Sequence, residues 1–207
     1  MHALILKNVG RFIQLSEQEK AFFLSLLQPP HLEKKQILVQ AGEYTQHNYF
    51  VNRGCLRTFF MDATGLEHNV LFSIEDWWAG DMYSFLTEQP ARYTVVAMET
   101  TELLAIEKKD LETLYREVPR FERYFRQLLQ NAFIAFQERI LSGLTDTAEE
   151  RYLKFREKYP EVERRVPQQH IASYLGITPE SLSRIRKSLV VHSKARKIIP
   201  LSKSSNL

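Results

Sequence analysis

The sequence predicts an α+β chain in which an antiparallel β-roll of the jelly-roll kind is followed by a long helix and then a C-terminal helix-turn-helix. Three observations carry this expectation. Between Lys35 and Glu107, short apolar or alternating runs recur at near-regular spacing with turn-type residues between them. From Arg120 to Ser142 the pattern is helical throughout. Residues 166–187, VPQQHIASYLGITPESLSRIRK, then place apolar side chains where two short helices would seal against each other.

Composition sets the outer bounds. The chain has 207 residues, 44% of them hydrophobic and 26% charged, which is enough for one large domain or two ordinary ones with buried cores. No run of about 18 apolar residues occurs, so no membrane span is expected. The start, MHALILKNVGRF, has neither a long apolar region nor a small-residue cleavage site, so it does not read as a signal peptide. A single cysteine, Cys55, cannot form an internal disulfide or a four-cysteine metal site. These features together lead us to expect a cytoplasmic protein.

The elements follow in order. Ser16-Glu17-Gln18-Glu19 is a capping-box pattern, and the helix it opens carries Phe22, Phe23, Leu26 and Leu27 and ends before Pro29-Pro30. The predicted strands are Gln36–Val39, Tyr49–Val51, Leu56–Met61, His68–Phe72, Thr94–Met98 and Glu102–Ile106. Turns are expected at Ala41-Gly42-Glu43, Asn52-Arg53-Gly54, Asp62-Ala63-Thr64-Gly65 and Ala79-Gly80-Asp81. A short helix, Asp110–Glu117, stops at Pro119, and the long helix follows. In it Phe121, Phe125, Leu128, Ala132, Ala135 and Arg139 alternate at spacings of four and three, as in a coiled-coil seam. A second apolar line through Leu129, Phe133, Phe136 and Ile140 is then expected to face the roll. A helix apolar on two sides needs two partners, and a second copy of the chain is one, so a homodimer is expected. The alternative is a helix wedged between domains. Gly143 is the expected C-cap, dividing a sensor-type domain (1–143) from a second domain (144–207) that opens with helix Ala148–Lys158.

In the last window Ile171, Leu175, Ile177, Leu182 and Ile185 form the apolar seal, and Ala172 is small enough for the helices to cross closely. Gly176 can take the left-handed turn conformation, Thr178 can cap the second helix, and Pro179 and Glu180 suit its first turn. The alternative is an ordinary helical hairpin. Charge favours a DNA partner: Ser181–Leu207 holds seven basic residues and no acid, while residues 1–180 carry 21 basic and 25 acidic side chains.

A β-roll, a dimer-type helix and a C-terminal helix-turn-helix in this order resemble the cyclic-AMP receptor protein / Fnr (Crp/Fnr) family of bacterial transcription regulators, from about Leu15 to Lys187. The resemblance implies a cyclic-nucleotide-binding-like roll, a homodimer through the long helix, and double-stranded DNA and RNA polymerase as partners. In members that bind cyclic nucleotides, a Gly-Glu-Leu element and an Arg-Ser pair hold the cyclic phosphate and ribose. The matching residues here are Gly80-Asp81-Met82 and Arg92-Tyr93, and the pair aimed at adenine matches Phe136-Gln137. These departures argue against cyclic AMP (cAMP) and leave the roll either to another small effector, with Trp77, Trp78, Tyr83 and Phe85 as candidate lining, or as a vestigial core that supports the dimer. No cofactor is expected, because one cysteine cannot hold an iron–sulfur cluster and His47, His68, His170 and His192 are scattered.

Carried over residue by residue, Glu180 and Arg184 match the positions that read base edges, one helical turn apart. Pro179 replaces a base-reading arginine. Thr178, Ser181 and Gln168 match backbone contacts, Gln169 lies near the phosphates, Arg186 and Lys187 match phosphate partners, and Ser183 completes the outer face. The family's β-hairpin wing is expected to be reduced or absent, since Val190-Val191 allows one short strand and the tail after it is basic. Two other readings differ in class. One is an effector-binding module whose DNA-binding half is degenerate. The other is a cupin-type metalloenzyme, which would need a His-x-His pair that His47 and His68 do not form. Neither an enzyme nor a metal site is expected.

Overall fold

The computed structural model describes residues 2–198, with side chains as far as Leu189. The chain divides into two compact units, Met1–Leu141 and Ser142–Leu207.

The first unit holds two helices, α1 (Ala3–Gly10) and α2 (Glu17–Ser25), then eight strands. These are β1 (His31–Leu32), β2 (Ile37–Val39), β3 (His47–Arg53), β4 (Cys55–Met61), β5 (Glu67–Ile74), β6 (Trp78–Ala79), β7 (Thr94–Ala97) and β8 (Thr101–Glu107). Helix α3 (Met82–Thr87) lies between β6 and β7, while α4 (Lys108–Glu117) and α5 (Arg120–Thr145) follow β8. The strands form two antiparallel sheets in the orders β1-β8-β3-β6 and β2-β7-β4-β5, which is the predicted roll.

Alternation along β3 and β8 shows how one sheet serves two cores. Val51 and Leu103 point between the sheets with Leu56, Val95 and Ala97, while Phe50, Leu104 and Ile106 point outward under α1, α4 and α5. The outer core also holds Ile5, Val9, Phe23, Leu114, Phe121 and Tyr124. Gly54 makes the change of sheet possible between β3 and β4. Its φ is +112°, and a Cβ there would stand 2.7 Å from the Thr101 backbone.

The six predicted strands are all present, within one or two residues at each end. Four short or cryptic elements of this unit are additional, α1, α3, β1 and β6, as is a short helix at Pro160–Arg165 in the second unit. Ala79 belongs to β6 rather than to a turn, and Asp81 is the N-cap of α3. The Ser16 capping box is present, with both reciprocal hydrogen bonds formed.

Two expectations for α5 are corrected. Gly143 does not end it, since the helix runs on to Thr145. The second apolar line does not face the roll, and the start of the first does. Phe121 and Phe125 are buried against the outer core with Leu128 beside them, and Arg139 donates to the Asn69 and Val70 carbonyls of β5. Leu129, Phe133, Phe136 and Ile140, expected on the roll, are 48%, 63%, 47% and 64% exposed. A row that ends in Ala132, Ala135 and Arg139 suits a sheet edge with free carbonyls. The large side chains of the other row are left largely uncovered by the described residues.

The second unit is helical where it is described: α6 (Ala148–Lys158), α7 (Pro160–Arg165), α8 (Gln168–Leu175) and α9 (Pro179–Ile198). Thr147 and Glu150 cap α6 reciprocally. Tyr152, Phe155, Val162, Val166, Ile171, Ala172 and Leu182 form its core. Helix α9 continues through Val190-Val191, so the short strand expected there is helix, and no wing strand occurs among the described residues. The basic tail beyond it lies outside them. Among the described residues no helix is long and apolar enough to cross a membrane.

Candidate nucleic-acid interface and sensor pocket

Local chemistry builds the α8–α9 corner as the sequence predicts. Gly176 ends α8 with φ +67°, and its amide reaches the Ala172 and Ser173 carbonyls. The Thr178 hydroxyl accepts from the Ser181 amide at 3.2 Å, and Pro179 and Glu180 open the first turn of α9. Ile171, Ala172 and Leu182 are fully buried at the crossing, whereas Ile177 and Ile185 are only half-buried.

The polar residues then separate by face. Thr178, Pro179, Glu180, Arg184 and Lys187 are exposed, and Ser181 and Ser183 are half-exposed beside them. Arg184 donates to the Ser181 hydroxyl at 3.2 Å, which sets its fork beside Glu180. The carboxyl of Glu180 is held below its ordinary value by the amide at its own helix start, then by the Thr178 hydroxyl and Arg184. It therefore stays an acceptor. Gln169 is also exposed, at the start of α8.

Arg186, expected at a phosphate, has partners within the unit. It pairs with Glu163 of α7 at 3.2 Å, and the Gln168 amide, turned with its oxygen inward, accepts from the Arg186 Nε at 3.2 Å. Both side chains were expected at phosphates; in the structure they contact each other, and Arg186 also contacts Glu163. The sequence did not reveal the Arg186 partner, because nothing in the spacing of Glu163 marks it.

In the roll, Gly80 has φ +139° and leads into Asp81, which is 1% exposed. Its carboxylate accepts from three amides: Ser84 at 2.8 Å, Arg92 at 2.8 Å and Tyr93 at 2.9 Å. The Arg92 guanidinium lies 3.6 Å from the centre of the Tyr83 ring. Amides that could hold an anionic ligand thus hold the protein's own carboxylate. Met82 packs against the outer core. Phe136, 47% exposed, and Gln137 are both exposed on α5.

The aromatic residues read as pocket lining are largely core. Phe85 is buried, and Trp78 packs on Phe50 and Phe125 while donating to the Tyr124 hydroxyl at 2.8 Å. His47 stacks on Tyr49 in one sheet, and His68 pairs with Asp62 and stacks on Phe60 in the other. Among the described residues no group of His, Cys, Asp and Glu is arranged to hold a metal.

Along α5 the exposed apolar face continues as Leu129, Phe133, Phe136, Ile140 and Leu144, with Ile134 and Leu141 in the next row. Near Tyr115 and Phe125 it borders an open groove of about 450 Å³ that also includes Leu129 and Phe133.

Comparison with known proteins defines the class of the roll. Residues 29–118, which hold the strands of the roll, match the family model of the cyclic nucleotide-binding domain. Among curated relatives, the anaerobic regulatory protein of Pasteurella multocida is 26% identical, the match covering 74% of this chain and 60% of that one. The chain thus spans about three fifths of the length of the first curated relatives it matches. Among solved structures, the c-di-GMP-responsive regulator CLP of Xanthomonas campestris superposes with a TM-score of 0.70 at 14% identity, covering 86% of this chain and 93% of that one. FixK2 of Bradyrhizobium japonicum superposes at 0.67 with 19% identity, covering 86% and 89%. At these identities the structures establish the fold.

Proposed function

We propose that the chain is a homodimeric, sequence-specific DNA-binding transcription regulator acting in the cytoplasm, with α9 entering the major groove. It is not an enzyme. The observation that carries this reading is the exposed, acid–base patterned face of the first turns of α9. Arg184 can donate two bonds to guanine O6 and N7, and an ionised Glu180 can accept from cytosine N4. Thr178, Ser181, Ser183, Gln169 and Lys187 flank that pair and serve the phosphates. Pro179 makes no base contact of the kind an arginine would, so its base pair is read differently from that of arginine-bearing relatives. A two-fold dimer through α5 places two such helices on half-sites about one turn of DNA apart.

The roll in this reading is not controlled by a cyclic nucleotide. Asp81 already satisfies the amides of Arg92 and Tyr93, and a ligand phosphate would have to expel a buried carboxylate from three hydrogen bonds. A small effector of other chemistry remains compatible with the fold.

Selection from random double-stranded DNA followed by gel shift at two salt concentrations tests the proposal. A pseudo-palindromic consensus is expected. In Arg184→Ala, preference at one base pair per half-site should relax, at a cost of about 1–3 kcal/mol. Failure to enrich any sequence, at low salt as well, would refute DNA recognition. Calorimetry with cAMP should give no saturable heat.

A further inference from the structure

We propose that Arg186 is a positioning residue of the recognition helix and contacts no phosphate, and that Glu163 is the group through which it acts. This rests on the DNA-binding reading of α9. Helix geometry makes the first part of the case. Lys187 stands three residues after Arg184 and shares its exposed face, whereas Arg186 stands two residues on and points the other way. Its side chain is 35% exposed, against 18% for Glu163.

The second part is the set of partners. The Glu163 Oε1 that takes Arg186 at 3.2 Å also accepts from the Tyr152 hydroxyl at 2.9 Å, and Tyr152 is only 2% exposed. Burial first, and then the Glu163 carboxylate, raises the Tyr152 phenol above its ordinary value, so it remains a donor. Gln168 adds its amide oxygen to the Arg186 Nε at 3.2 Å. One residue each from α6, α7, α8 and α9 therefore meets in a single charge-assisted network.

The apolar crossing cannot replace this tie. Packing of Ile171, Ala172 and Leu182 is non-directional, so it sets how close α8 and α9 lie but only weakly sets the roll of α9 about its own axis. A guanidinium–carboxylate pair is directional. Rotation of α9 would swing Glu180 and Arg184 off their base edges together, so the clamp governs which bases the helix can reach.

The test uses the full chain and its selected DNA site, with affinity measured over a range of salt. Removing one cationic partner of a phosphate lowers the slope of log K against log salt by about 0.9. Lys187→Gln should show that decrease. Arg186→Gln should bind about tenfold more weakly with the wild-type slope, and with reduced preference for the site over random DNA. Glu163→Gln leaves the arginine and its charge in place, and should also bind about tenfold more weakly at unchanged slope. Thermal melts of each variant report that it is folded. A slope that drops in Arg186→Gln as it does in Lys187→Gln overturns the clamp, as does a Glu163→Gln variant that binds as well as wild type or better. A wild-type protein with no selective complex overturns the DNA reading and the clamp with it, so the two failures are distinct.

Discussion

Replacing Tyr124 by phenylalanine deletes one oxygen from a well-buried polar junction of the first unit. Tyr124 is 0% exposed, and its hydroxyl donates to Asn8 Oδ1 at 2.6 Å while accepting from Trp78 Nε1 at 2.8 Å. Asn8 in turn donates to the Asp76 carbonyl and carboxylate, both at 2.9 Å, and Arg11 pairs with that carboxylate. The junction therefore fastens α1, the β5–β6 connection, β6 and the base of α5 to one another. Phenylalanine fills the same space, so there is no cavity to add. What remains is one buried acceptor on Asn8, which is 4% exposed, and one half-buried indole N–H. At about 1–3 kcal/mol for each group left unpaired, with the indole toward the lower end, the loss should be about 3 kcal/mol. For a chain of this size that lowers Tm by roughly 6–12 °C. Both tryptophans, Trp77 and Trp78, lie in the first unit, so denaturant unfolding followed by tryptophan fluorescence reports on that unit. Tyr44→Phe, at a residue 70% exposed, is the control and should stay within about 0.5 kcal/mol. A loss in Tyr124→Phe below about 1 kcal/mol would refute the claim that this hydroxyl holds the junction.

Three further outcomes are expected. Phe133→Glu should convert the dimer to monomer in sedimentation at micromolar concentration. Phe133 is 63% exposed, and covering it against a partner is worth about 3 kcal/mol per protomer, counted twice by symmetry; an unchanged dimer would move the interface elsewhere. Asp81→Ala should lower the melting temperature by several degrees, and formate should restore part of that loss in the variant but nothing in wild type, because the three amides then accept a free carboxylate. No formate effect would show that the amide cradle does not persist without Asp81. At alkaline pH, burial raises the Tyr124 phenol above its ordinary value of 10.0. The unfolded chain therefore releases that proton first. Stability is full below about pH 10 and declines above it, and denaturation midpoints should fall less steeply with pH in Tyr124→Phe than in wild type.

How far the sequence could be read is clearest in α5. Both apolar rows were visible as spacing, yet the row expected on the roll is exposed and the start of the other row is buried in the outer core. Periodicity says that a helix has two faces and is silent about which neighbour each face meets. The evidence for the right assignment was side-chain chemistry. An arginine at the end of one row fits backbone carbonyls at a strand, and a row of phenylalanines and isoleucine left bare asks for a second chain. The helix-turn-helix was more legible because its signals are local: a turn glycine, a capping threonine and a following proline act within a few residues of themselves. The contacts of Arg186 and Gln168 were not legible, since Arg186 meets Glu163 and Gln168 from two other helices.

The sequence by itself determined the order of the elements, the six main strands, the capped helices and the corner between α8 and α9, because each depends on hydrogen bonds and torsions among near neighbours. The tertiary structure decided what each polar and apolar face is for. It closed the amides of Arg92 and Tyr93 on Asp81, turned Arg186 inward to Glu163 and left Phe133 and Ile140 uncovered. Those outcomes depend on which distant groups come within hydrogen-bonding or packing distance once the chain is folded, and spacing along the chain carries no measure of that.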